Sequence, residues 1–199
     1  MPDYIRMGLI LTVICAFATA FLAGTDALTK DRIAEAKREE MLRTLTHVLP
    51  TGFDNEPDRD TVTLSDGRLN RKASPVIFYR AAKKSDYIGV AFMVTAADGY
   101  AGEIGIMMSV LANGTIQSVQ VVAHKETPGL GDRIIDSVWT GSFTGKSLTN
   151  AKWAVKKDGG VFDQFAGATI SPRAVVNAVK RGLEFFTENK SQIFARRGL

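Results

Sequence analysis

Met107-Met108-Ser109-Val110-Leu111-Ala112-Asn113-Gly114-Thr115-Ile116-Gln117-Ser118-Val119-Gln120-Val121 is the stretch that decides the fold. Two runs rich in β-branched and apolar residues flank Asn113-Gly114. A dipeptide that accepts positive φ at such a place is the strongest short-range signal for a tight antiparallel hairpin. In the second run Ile116, Ser118, Gln120 and Val122 alternate with Gln117, Val119, Val121 and Ala123, which sends the two sets to opposite sides of a sheet. Both sets mix polar and apolar residues, so neither side is fully wet, as expected for a sheet covered by helices.

Working outward, strand-like runs cover residues 61–64, 75–80, 87–95, 103–111 and 115–123, with Asp66-Gly67 and Asp98-Gly99 as further turn pairs. The polar, acidic segment 54–60 reads as a loop. Ahead of it, residues 29–49 are helical by spacing, with Ile33, Met41, Leu42, Leu45, Val48 and Leu49 largely on one face, and Pro50-Thr51-Gly52 ends the run. Behind the hairpin, residues 133–143 have helical spacing closed by Gly141, residues 152–155 read as a short strand, and Asp158-Gly159-Gly160 is a turn. Phe162 and Phe165 read as packing residues. A last helix runs from Pro172 to about Arg196, with Val175, Val176, Val179, Leu183, Phe186 and Ile193 as its buried stripe. The fold class that results is α+β: a largely antiparallel sheet flanked by helices. No internal repeat or low-complexity tract interrupts it.

The first 25 residues differ in kind. Residues 7–23 carry no charged side chain, and about 17 residues at 1.5 Å each give about 25 Å of helix, enough to cross a bilayer core if Gly24 and Thr25 join it. A cleaved leader ending at Ala18-Thr19-Ala20 is the rival, but the apolar run continues through Phe21, Leu22 and Ala23, which favours a retained transmembrane helix. Counting Lys30, Arg32, Lys37 and Arg38 against Arg6 would keep the following domain in the cytoplasm, although Asp26, Asp31, Glu35, Glu39 and Glu40 are interleaved with those cations.

The chain has 199 residues and a formal charge of +4, with its cations spread among carboxylates, so it lacks the basic stripe of a nucleic-acid binder. The single Cys15, inside the apolar segment, cannot make an internal disulfide, and His47 and His124 without a cysteine cluster make no metal site.

Two stretches carry chemistry. In Asp163-Gln164-Phe165-Ala166-Gly167-Ala168-Thr169-Ile170-Ser171-Pro172-Arg173, Ser171 is read as an N-cap and Pro172 as the first helical residue. The free N–H groups of such an end and the positive end of the helix dipole together favour an anion. Gly167 and Ala168 leave room for a ligand to approach the backbone, and Thr169 offers a hydroxyl there. In His124-Lys125-Glu126-Thr127-Pro128-Gly129-Leu130-Gly131-Asp132, Pro128-Gly129 sets a turn. Backbone donors, Glu126 and Thr127 can converge there on a flat ligand, to which Leu130 would offer an apolar face.

Asp-x-x-Ala-Gly-Ala-Thr at 163–169 resembles the flavinylation motif of the FMN-binding domain shared by the G component of the Rnf electron-transport complex and the C component of the sodium-translocating NADH:quinone reductase. Glu-Thr-Pro-Gly-Leu-Gly at 126–131 resembles the same family's second signature, in the family's order. Ala166 stands where many members have Ser or Thr. The resemblance implies FMN joined through its phosphate to Thr169 by a dedicated flavin transferase, with Gly167, Ala168, Ser171, Glu126, Thr127, Leu130 and Tyr100 as cofactor-binding residues. It further implies an electron-relaying, phosphodiester-bearing component of a multi-subunit ion-translocating complex in the bacterial inner membrane, with its soluble domain periplasmic. The resulting division is an anchor over 1–25, a stalk helix over 26–52 and an FMN-binding domain over 53–199. Length favours the Rnf component over that of the reductase; a flavin-free membrane-anchored assembly module and a flavin oxidoreductase with a dissociable cofactor are the other readings.

Overall fold

Five strands pair in chain order: β1 (Thr61–Leu64), β2 (Val76–Lys83), β3 (Asp86–Ala96), β4 (Ile104–Leu111) and β5 (Ile116–Ala123) form one sheet, each antiparallel to the next. This computed structural model describes residues 2–195, without the side chains of Ala34 and Lys37. At the β4–β5 hairpin Gly114 takes φ +88°, and its N–H donates to the Leu111 carbonyl at 2.9 Å. Asn113 Oδ1 accepts from the Thr115 N–H at 3.0 Å and from its hydroxyl at 2.7 Å. Positive φ and a short side-chain acceptor are what this dipeptide supplies.

The β2–β3 connection was not legible as a turn. Strand β2 continues past Arg80 to Lys83, and the two-residue link Lys84-Ser85 takes φ +49° and +78°, a conformation that Asn-Gly would fill with less strain.

Three bulges reset the alternation. An extra residue falls at Ile88 in β3 and at Gln117 and Val122 in β5. A period-two reading groups Ile116 with Ser118 and Gln120. The bulge at Gln117 instead puts Ile116 opposite Val110 and into the same buried cluster as Val119 and Val121.

The main core lies between one face of the sheet and α3 (Ile170–Ile193), where Phe78, Phe92, Val94 and Met108 meet Val175, Val179, Leu183 and Phe186, all fully buried. Gly182 lets the helix settle, since a Cβ there would lie 2.6 Å from Met108 Sδ and 2.8 Å from Val94 Cγ1. The opposite face is paved with small residues, Ala81, Gly89, Ala91 and Ser109. Leu45, Val48 and Leu49 are buried outside the main cluster, and the Pro50 ring would touch a Cβ on Gly89 at 3.0 Å. Neither face is fully wet. Arg80, 2% exposed, is ion-paired with Asp60, stacks over Tyr87 and donates to the carbonyls of Ile193 and Ala195, tying down the end of α3.

Between β5 and α3 the expected single helix over 133–143 is two pieces. A 3-10 turn covers Gly131–Ile135 and α2 covers Ser137–Gly141, separated by Asp136, whose extended backbone and carboxylate cap the Val138 N–H at 2.8 Å. The expected strand at 152–155 is only a single bridge, Val155 to Phe162, because Trp139, Phe143, Trp153 and Phe162 pack ring to ring there and no second strand is alongside among the described residues. The last helix ends at Ile193; Arg196 lies outside the described residues.

Helix α1 (Asp3–Val48) runs without a break through the apolar and charged segments. Backbone packing divides the chain into two units, one ending at Thr44 and one beginning at Leu45. In the first, Thr12, Thr19, Thr25 and Thr29 return their hydroxyls to carbonyls four residues back, satisfying them within the helix. Among the described residues α1 is the one helix long and apolar enough to cross a membrane.

Candidate functional site

The attachment stretch folds as a tight turn feeding a helix. Gly167 takes φ +77°, and the Ala168 N–H donates to the Phe165 carbonyl at 3.1 Å, so Gly167 occupies the turn position that excludes side chains. Ala166, at the first central position, is exposed, which is why its identity makes no demand on the turn. Thr169 follows as the residue capping α3, and its carbonyl accepts the Arg173 N–H at 3.3 Å.

The helix therefore begins at Ile170, earlier than Ser171 and Pro172 imply. Ser171 is inside the first turn, 1% exposed, and donates its hydroxyl to Glu126 Oε2 at 2.5 Å, so it is not the cap. Its place inside the helical backbone is what removes it from the cap, since donating to a carboxylate leaves a hydroxyl oxygen still able to accept. Thr169 holds the cap position without a side-chain cap bond, and its half-buried hydroxyl makes no hydrogen bond among the described residues.

The second signature loop starts where β5 ends. The Glu126 N–H is held by His124 Nδ1 at 3.2 Å, so His124 is half-buried and engaged rather than free in solvent. Gly129 takes φ +75°, and the Thr127 carbonyl gathers the N–H groups of Leu130 and Asp132 at 3.2 and 3.3 Å. This curl leaves Thr127 and Leu130 exposed and turns the Glu126 side chain inward, where it is 4% exposed. Glu126 Oε1 accepts from the Ala101 N–H at 3.1 Å, which brings the β3–β4 loop and the exposed ring of Tyr100 alongside.

These three segments enclose a cleft of about 340 Å³ lined by Tyr100, Glu126, Thr127, Leu130, Gly131, Gly167, Ala168, Thr169, Ile170 and Ser171. All eight residues singled out from the sequence border it. Gly131 and Ile170 do so as well and were missed. The Leu130-Gly131 pair was a visible signal for the first, whereas Ile170 becomes visible only once the helix start is known. Asp163 stays outside, paired with Lys156 at 2.6 Å. Phe165 is buried against Trp139, as a packing residue should be.

Among the described residues no Lys or Arg side chain lines the cleft. Arg173, on the first turn of α3, is turned to Asp158, and its guanidinium holds that carboxyl below the usual carboxylate range. Positive potential in the cleft therefore comes from the first-turn amides and the dipole of a 24-residue helix. Among the described residues no group of His, Cys, Asp and Glu is arranged to hold a metal.

A mononucleotide flavin fits this donor set. An anion can meet the helix start beside Gly167, the Thr169 hydroxyl, without a partner among the described residues, stands at the same end, and Tyr100 and Leu130 offer apolar surface at the other walls.

Residues 99–184 match the family of the FMN-binding domain, and residues 3–48 match the RnfG N-terminal region. The G component of the ion-translocating oxidoreductase complex of Pseudomonas aeruginosa is 43% identical over 197 residues, covering 96% of this chain and 92% of that protein. Its counterpart in Vibrio cholerae is 39% identical over 193 residues, covering 94% and 92%. The crystal structure of the C component of the Na(+)-translocating NADH-quinone reductase of Parabacteroides distasonis superposes with a TM-score of 0.53 at 17% identity, over 80% of this chain and 85% of that one, a likeness of fold. Two domain matches in chain order, with relatives at this identity along nearly the whole length, leave one assignment: the chain belongs to the family of G components of ion-translocating oxidoreductase complexes.

Proposed function

We propose that this chain is the electron-carrying flavin subunit of a membrane-bound ion-translocating oxidoreductase complex, with FMN held in the cleft and joined through its phosphate to Thr169. The observation that carries the attachment is the state of the hydroxyls. Thr169 Oγ1 borders the cleft at the start of α3 without a hydrogen bond among the described residues, while Ser171, two residues on, is buried and committed to Glu126. In the attachment step the Thr169 Oγ1–P bond would form as the pyrophosphate P–O bond of a flavin dinucleotide donor breaks, the nucleoside monophosphate leaving and the hydroxyl proton passing to it, with a flavin transferase as catalyst.

The phosphodiester keeps one negative charge, which the amides of the first turn and the helix dipole stabilise by about 1 kcal/mol. Gly167 keeps the approach to the backbone open. Leu130 and Tyr100 shield the ring faces, and Glu126 and Thr127 set the polar surroundings. When bound, the flavin supplies one- and two-electron transfer, and the protein supplies position and solvent access. The apolar part of α1 supports a membrane anchor, and the relatives named as subunits of a complex support other subunits as partners; the inner membrane and a periplasmic side for the domain from Leu45 onward follow from the family resemblance, against the count of flanking cations.

Thr169→Ala tests the reading. Co-expressed with the transferase, the parent chain carries yellow in-gel fluorescence through denaturing electrophoresis and a matching increase in intact mass. The variant is expected to lose both while remaining folded, since it removes no side-chain cap bond. Retention of flavin by Thr169→Ala refutes the attachment site; release of all flavin from the parent by acid precipitation refutes the ester.

A further inference from the structure

The cleft is built from three segments far apart in sequence, and one side chain joins them. Glu126 Oε1 accepts from Ala101, 25 residues away, and Oε2 from Ser171, 45 residues away. Two glycines make room for it. A Cβ on Gly131 would stand 2.6 Å from Oε2 and 2.8 Å from Ser171 Oγ, and one on Gly99 would stand 2.9 Å from Oε1. Among the described residues no Lys, Arg or His side chain is ion-paired with Glu126. A carboxylate buried without a counter-ion is a poor choice for stability alone, and it persists only where its hydrogen bonds are all made.

We propose that Glu126 is the positioning residue of the cleft, fixing the Tyr100 loop, the Gly131 turn and the Thr169 end of α3 at one spacing so that a bound flavin ring has a single seat. This rests on the cleft being the flavin site. In this role Glu126, at the edge of the cleft with both carboxylate oxygens hydrogen-bonded, acts through the walls it joins. The requirement is geometric. Gln at this position can still accept from Ala101 through its carbonyl and donate to Ser171 Oγ through its amide, with the hydroxyl changing roles.

The test uses the full chain in detergent, with parent, Glu126→Ala, Glu126→Gln and Gly131→Ala proteins. Amide exchange of Ala101 is measured in a flavin-free Thr169→Ala background, and the visible circular dichroism and fluorescence anisotropy of the flavin are measured in the loaded proteins. In Glu126→Ala and Gly131→Ala the Ala101 amide is expected to exchange roughly tenfold or more faster, as a lost hydrogen bond to a charged group implies. In the same variants the flavin stays attached while its dichroism and anisotropy fall. Glu126→Gln is expected to restore all three signals.

Should Glu126→Ala fail to fold, Gly131→Ala and Ser171→Ala carry the comparison. Parent-like exchange and parent-like flavin signals in the disrupted variants overturn the proposal, and so does a Gln variant as disturbed as the Ala one. A parent that holds no flavin defeats the functional reading instead, and the exchange of Ala101 then decides the tie by itself.

Discussion

Gly182→Ala is a perturbation in which two known effects oppose each other, and the structure decides between them. An alanine in a helix interior is favoured over glycine by about 1 kcal/mol. At Gly182 the new methyl would lie 2.6 Å from Met108 Sδ, 2.8 Å from Val94 Cγ1 and 3.4 Å from Phe92 Cε2. Met108 can swing its thioether aside, but the branched Val94, fully buried in β3, is stiff about χ1 and cannot. Overpacking of this kind costs about 1–3 kcal/mol, so the balance is a net loss of about 1 kcal/mol. Gly182→Val, with two more methyl groups in the same space, should lose about 2 kcal/mol or more.

For a domain of this size each kcal/mol is about 2–4 °C in Tm. Thermal melts of the detergent-solubilised chain should therefore rank parent above Ala above Val. Because α3 rests on β3 and β4 at this glycine and carries Thr169 and Ser171 at its start, the methyl should also raise the exchange of the helix's first-turn amides. An alanine variant that melts at or above the parent would show that the helix has room to spare over the sheet and that helix propensity wins.

The strained link between β2 and β3 makes the opposite prediction: Lys84→Asn, which relieves a lysine at φ +49°, should raise stability by about 0.5–1 kcal/mol, and a Tm no higher than the parent's would refute it. Asp66 is held below its ordinary pKa, first by the Arg68 side chain and then by the Arg68 backbone N–H. A depressed carboxylate pKa stabilises the fold above the unfolded value of about 4, and the contribution disappears as pH falls through the lowered folded value. The pair is about a third exposed, so Asp66→Asn should lose no more than about 1 kcal/mol at neutral pH, and the difference from the parent should shrink in melts as pH falls below the unfolded value and be lost once it passes the lowered folded one. An undiminished difference at low pH would refute the ion pair as its source.

How much of this was legible in the sequence follows from the range of the forces involved. The strands, the Asn113-Gly114 hairpin, the apolar helix and the stripe on α3 are set by contacts within a few residues, and periodicity reports those directly. The family motifs named Gly167 and Thr169, and the turn geometry supplies the reason for the first: φ +77° at this turn position favours glycine. The bulges at Gln117 and Val122 were not legible, because which residue is left unpaired is decided by the partner strand. Nor was the break at Asp136, where helical spacing continues but the backbone turns extended between two short pieces that bury Ile134 and Trp139.

The sharpest division falls at the start of α3. By itself the sequence determined that a helix begins near Ser171-Pro172, that small residues precede it, and that hydroxyls stand there to choose between. Only the tertiary structure shows how each of those hydroxyls is engaged. Glu126, arriving from a loop 45 residues earlier, takes up Ser171. The helical backbone starts at Ile170, so Thr169 is the cap and its hydroxyl makes no hydrogen bond among the described residues, while the buried carboxylate finds its donors where the fold brings them, at Ala101 and Ser171.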